Sequence, residues 1–165
     1  MTGAELHTDD PKELPADHLV VILGKERDSI VGLASQSVRH DRRYELAGSA
    51  ETRRRIELLY DQMTGAIAGR DLGDVLGYAR ELARERFESG YDLAELQAAF
   101  NALEEATWST LCARLAPELL AVSLGLVSTV LGAAKDALAR EYVSLASRTH
   151  VSSLDLSALF TGSGA

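Results

Sequence analysis

"ARERFESGYDLAELQAAFNALEEATW", Ala83 to Trp108, holds two helix-length patterns separated by only a few residues. Gly90 stands where a helix end wants a left-handed residue, a conformation glycine enters without a Cβ clash. Asp92 can cap the helix that follows, and Glu95 completes a capping box three residues on. Leu93, Leu96, Phe100, Leu103, Thr107 and Leu111 then recur at helical spacing as an inner stripe. Upstream, Leu72, Val75, Leu76, Ala79, Leu82, Ala83 and Phe87 make the buried face of a helix that Asp71 can cap, with Asp74 three residues on. This chemistry predicts a tight antiparallel hairpin of two long helices.

The same reading extends in both directions. Pro15 can sit in a first helical turn, and a first helix is expected from about Ala16 to His40, with Leu19, Leu23, Ile30 and Leu33 on one stripe and Val20 and Val31 beside them. Ser49 is the expected N-cap of a second helix, with Glu51 in its first turn, Ile56, Leu59, Tyr60, Met63 and Ile67 inward, and Gly69 at its end. Pro117 starts a last long helix to about Arg148. Ser152 and Asp155 can cap a short final helix carrying Leu154, Leu156, Leu159 and Phe160. Residues 1–14 read as a loose polar arm, 15–150 as one helical domain, and 151–165 as a short helix and tail. No segment of useful length has the strand period.

Composition narrows the function. The chain has 165 residues, 46% of them hydrophobic and only 5% aromatic, so one domain with an aliphatic core is expected. A net charge of −8 disfavours nucleic acid as a partner. No basic-then-apolar leader pattern opens the sequence, so the expected location is the cytoplasm. The uncharged run Leu119 to Ala134 is slightly short for a membrane span and contains Ser123, Ser128 and Thr129; a buried bundle helix is the expectation.

Candidate chemistry is sparse. His7, His18, His40 and His150 stand at no metal-ligand spacing, and surface positions are expected for each. Cys112, the single cysteine, reads as a core or half-buried thiol. Glu104 and Glu105 are adjacent and point apart, which does not make a carboxylate-bridged metal pair. No glycine-rich phosphate loop and no GxSxG nucleophile motif occurs. Arg39, Arg42, Arg43, Arg53, Arg54 and Arg55 flank one polar joint. A solvated face paired with Glu45, Glu51 and Glu57 is the plain reading, and Arg53, Arg54 and Arg55 are the candidate partner patch.

Within "ARERFESGYDLAEL", the order Arg-x-x-x-Gly, aromatic, Asp, Leu and a further acidic helix resembles the N-terminal sensor domain of the RsbRD-type RsbT co-antagonists. The likeness extends upstream through "RIELLYDQMTGAIAGRDLGDVLGYA" and downstream to Trp108, about half to two-thirds of the chain. It implies a regulatory role in bacterial stressosome signalling, with Arg86 and Gly90 as the family's marked positions. The family's C-terminal phosphorylatable output domain has no counterpart in this sequence.

These readings converge on an all-α, single helical bundle of about five main helices, of which a globin-like outline is one version. The expected function is that of a stand-alone sensor or interaction domain without catalysis or cofactor, binding a regulatory protein. The alternative is a small-ligand or haem-binding protein of globin type, although no histidine lies between Ile56 and Ala146 to hold a haem iron. The apolar last helix, with Gly125 and Gly132 seven residues apart, predicts a homodimer with Leu126 and Leu131 as candidates for the shared face.

Overall fold

The computed structural model describes residues 15–38 and 48–153. The N-terminal arm, Arg39, Arg42, Arg43, His7, His40 and the leucines of the proposed final helix lie outside the described residues. Five helices make up the described part: α1 (Pro15–Val38), α2 (Ser49–Gly69), α3 (Gly73–Glu88), α4 (Leu93–Arg114) and α5 (Pro117–Ser153). No strand occurs among the described residues, and the chain is an all-α bundle. α5 runs to Ser153, so Ser152, expected to open a further helix, lies inside α5.

The buried residues form one cluster. Leu19, Leu23, Ile30 and Val31 of α1 meet Ile56, Tyr60 and Met63 of α2, Phe100, Leu103 and Leu111 of α4, and Val127, Leu131 and Leu138 of α5. Leu33 departs from the expected stripe: it is exposed, and Val31 and Ala34 take the inward positions instead. The Tyr60 hydroxyl donates to the Leu23 carbonyl at 2.6 Å, so the largest buried aromatic is satisfied at its polar end. Between α4 and α5, Glu104 accepts from Ser128 and from Lys135, both at 2.8 Å, which sets the axial register of the two helices; Glu105 is exposed.

The hairpin expectation is corrected. α3 packs most extensively on α5, while α4 packs on α1 and α5; α3 and α4 are not a packed pair. Around the bundle the helices follow each other as α2, α1, α4, α5, α3 and back to α2. The physical reason lies in the side chains. α3 buries only the small Val75, Ala79 and Ala83, a smooth ridge that lets the long aliphatic helix α5 come close, and α5 thus inserts between two helices that are neighbours in sequence.

The starts of α2 and α3 differ from the local reading. Gly48, with φ of 80°, occupies the N-cap of α2 in place of Ser49, and its carbonyl accepts from both the backbone N–H and the hydroxyl of Thr52 at 3.1 Å. α2 ends at the expected Gly69, and the residue after it, Arg70, takes the left-handed conformation at φ 53°. Asp71 N–H bonds the Ala66 carbonyl and Arg70 N–H the Ile67 carbonyl, the six-to-one and five-to-two pair of a Schellman end. Leu72 takes the N-cap position of α3 without a side-chain bond, while Asp71 accepts the Gly73 N–H at 3.0 Å.

Candidate functional site

The turn between α3 and α4 is built from both devices expected of it. Gly90 has φ of 76°, with Tyr91 N–H bonded to the Arg86 carbonyl at 3.0 Å and Gly90 N–H to that of Phe87 at 3.1 Å. The Asp92 carboxylate accepts the Glu95 N–H at 2.7 Å, and Glu95 accepts the Asp92 N–H at 2.8 Å. Between these two fixed helix ends stands Tyr91.

Three helices grip that tyrosine. From α3, the Arg86 guanidinium carbon lies 5.4 Å from the ring centroid. From α2, that of Arg55 lies 5.9 Å from it, and its Nη1 donates to the Tyr91 hydroxyl at 3.3 Å. From α5, the Tyr142 hydroxyl donates to the Tyr91 carbonyl at 2.9 Å, and the Tyr142 ring meets Phe87 edge-on at 5.1 Å. Cations over an aromatic face gain more as water is excluded, and the Arg86 side chain is only 12% exposed. Its ion partner is the neighbouring Glu85 at 3.4 Å.

The electrostatics follow from this enclosure. Burial alone would lower the proton affinity of Arg55; hydrogen bonds to Tyr91 and Glu51 more than offset it and leave the pKa raised. The Arg55 hydrogen bond, with Arg54 and Arg86 adding at longer range, holds the Glu51 carboxyl below its ordinary value. Burial raises the Tyr78 phenol, against the opposing pull of Arg86 and Arg55. The space enclosed by Arg55, Tyr78, Arg86, Tyr91 and Phe100 measures about 30 Å³, room for a water molecule and for no organic ligand. The cluster is therefore a clasp between helices.

The arginine run is split by this arrangement. Arg55 turns inward, Arg53 pairs with Glu57 at 3.0 Å and reaches Asp28 at 3.5 Å, and Arg54 stays exposed near Glu51 at 3.6 Å. A single patch of three is not formed. The missed participants are Tyr91 and Tyr142, 51 residues apart in the chain, for which no local signal exists; the Glu51-to-Arg55 spacing of one helical turn was the readable hint.

A second feature is an open apolar groove of about 550 Å³ between the start of α1, the end of α2 and α5. Ile67, Leu72, Val122, Leu126 and Val130 line it, with Arg70 at its edge held to Asp17 at 3.2 Å. Leu126 is half-buried here. Leu131, the other candidate for a dimer face, is fully buried within the chain and is corrected to a core residue. Cys112 is also corrected: Leu111 takes the inward position on α4, and one residue further round the helix the thiol is exposed. His18 is exposed, and no group of metal-ligating residues occurs among the described residues.

No curated protein matches the chain at a significant level. The family model described as "RsbT co-antagonist protein rsbRD N-terminal domain" matches residues 28–153, which span the whole of α2 to α5, the Arg86–Gly90 turn and the C-terminal part of α1. The chain belongs to the RsbRD N-terminal domain family.

Proposed function

We propose that this domain is a cytoplasmic, non-catalytic regulator of stress-response type, which acts by a change in helix packing that a regulatory protein partner reads. Family membership supports the regulatory role. The observation that carries the mechanism is the clasp on Tyr91, because residues from α2, α3 and α5 converge on the turn that starts α4. A shift of any one of these helices changes the environment of the other three, and a signal elsewhere in the bundle reaches the surface at residues 85–92. The test is partner capture from the native host by the wild type and by Arg86→Ala, with helicity checked by circular dichroism. Loss of one specific partner from a still-helical Arg86→Ala domain is the expected result. Identical eluates would refute the role of the clasp.

The groove favours a second reading, a small apolar ligand. Its volume is within the range of small-molecule sites, and its lining is almost wholly aliphatic. No histidine lines it, so it offers a haem iron no imidazole ligand. An absorbance spectrum of purified protein with a Soret band that vanishes in a histidine variant would overturn the exclusion of haem. Native mass spectrometry would detect a retained apolar molecule, and Leu126→Glu should abolish its retention.

A further inference from the structure

The aliphatic groove between α1, α2 and α5 carries one positive charge. Among the residues lining it, Arg70 is the one cation, and it stands at the edge. The helix end does not account for an arginine there. Arg70 is the one non-glycine residue with positive φ among the described residues, and glycine would hold the same left-handed turn without strain. A strained position that carries a long charged side chain to the rim of an apolar groove suits a recognition residue. The side chain also shows what it can hold. Its Nη2 donates to both oxygens of the Asp17 carboxylate, at 3.2 and 3.4 Å. The Arg70 and Asp17 side chains are 54% and 53% exposed, and an ion pair so open to water is weak. Asp17 can therefore give way to another carboxylate and return to water at little cost. The other charge in the lining, Asp71, accepts the Gly73 N–H at 3.0 Å at the start of α3, where the helix dipole opposes its charge. Along α5 the lining runs from Val122 to Val130, about 12 Å of axis and the length of an extended chain of roughly ten carbons.

We propose that the groove takes a free aliphatic monocarboxylate of that length, whose carboxylate replaces Asp17 on Arg70. The inference rests on the reading of the groove as a site for a small apolar ligand, and adds the headgroup and its consequence. Burial of the chain against Ile67, Leu72, Val122, Leu126 and Val130 supplies affinity, and the guanidinium selects the charge. A neutral alcohol gains only the apolar part, and an amine is repelled by Arg70. The Arg70–Asp17 pair joins the first turn of α1 to the end of α2. Its exchange frees the start of α1 from α2, so that occupancy of the groove biases the packing of those two helices.

The test is isothermal titration calorimetry of the full chain with sodium decanoate, 1-decanol and decylamine, each kept below micelle formation. Decanoate should bind about tenfold tighter than 1-decanol, and decylamine more weakly than either. Arg70→Gly keeps the left-handed helix end and should remove the preference for decanoate while leaving the affinity for 1-decanol. Asp17→Asn should tighten decanoate about threefold and leave 1-decanol unchanged, because Arg70 no longer has to release an internal carboxylate. Leu126→Glu, with helicity checked by circular dichroism, should abolish both. Equal affinities for decanoate and 1-decanol, or a preference that survives Arg70→Gly, overturn the proposal and leave an apolar-ligand groove standing. Failure of all three probes to bind removes that groove reading as well. An unchanged decanoate affinity in Asp17→Asn overturns the exchange at Arg70. A chain that sediments with phosphatidylglycerol vesicles and binds no free decanoate would show that a lipid surface, not a free carboxylate, covers the groove.

Discussion

Gly90→Ala and Gly77→Ala are the same chemical change and should move stability in opposite directions. At both positions an added Cβ meets nothing within 4 Å, so sterics with neighbours drop out of the comparison. Gly90 has φ of 76°, where an L-residue costs about 1–2 kcal/mol. Alanine also restricts the unfolded chain, which returns about 0.4–1 kcal/mol. The net expectation is a loss of about 1 kcal/mol at Gly90. Gly77 lies inside right-handed α3, where only the second effect and helix propensity act, and a gain of about 0.5–1 kcal/mol is expected. The two variants should therefore differ by about 1.5–2 kcal/mol, or roughly 3–8 °C in melting temperature for a chain of this size. Urea unfolding at constant m-value measures both. If Gly90→Ala unfolds at or above the wild-type midpoint, the Schellman end does not govern the turn and the reasoning fails.

Thr107 is fully buried and its hydroxyl has no hydrogen-bond partner, so Thr107→Val should stabilise by about 1 kcal/mol in the same urea assay. Leu131→Ala should cost about 2–5 kcal/mol, as expected for a fully buried leucine and not for one on a shared surface. Glu51 binds its proton more weakly folded than unfolded, because Arg55 bonds the charged form. Its contribution is present above the ordinary glutamate range and is lost as pH falls through the lowered folded value, so Glu51→Gln should flatten the acid limb of the stability curve. Tyr78 shifts the other way through burial. Stability should decline as pH rises past the ordinary tyrosine value of 10.0, and Tyr78→Phe should reduce that decline in alkaline unfolding followed by circular dichroism.

Features fixed within one helical turn were legible in the sequence. The Gly90 end and the Asp92–Glu95 box need only neighbouring residues, and the inward sets of α2 and α4 follow from period alone. What lay beyond reach was set by tertiary choice. The turn dictates φ and ψ but not which helix covers α3, and the small ridge of Ala79 and Ala83 made α5 its partner. α2 ends at Gly69 as its sequence indicates, but the left-handed conformation that closes it falls on Arg70, which no local signal marks. Arg55 was grouped with Arg53 and Arg54 by adjacency, although successive helical residues diverge by about 100° and only one of three can face inward. The clasp needs Tyr142, whose tie to Tyr91 exists only after folding.

The insertion of α5 between α3 and α4 has a consequence for synthesis. While the ribosome is still making the last helix, α1, α2 and α4 can already associate, but α3 has lost its main neighbour and shows Val75, Ala79 and Ala83 to solvent. About 65 residues separate Glu88 from Ser153, a wait of roughly 3–13 s at ordinary elongation rates. Stop codons or stalls within α5 should therefore yield chains with an open seam along the bundle. Such chains would be recognised by chaperones and proteases.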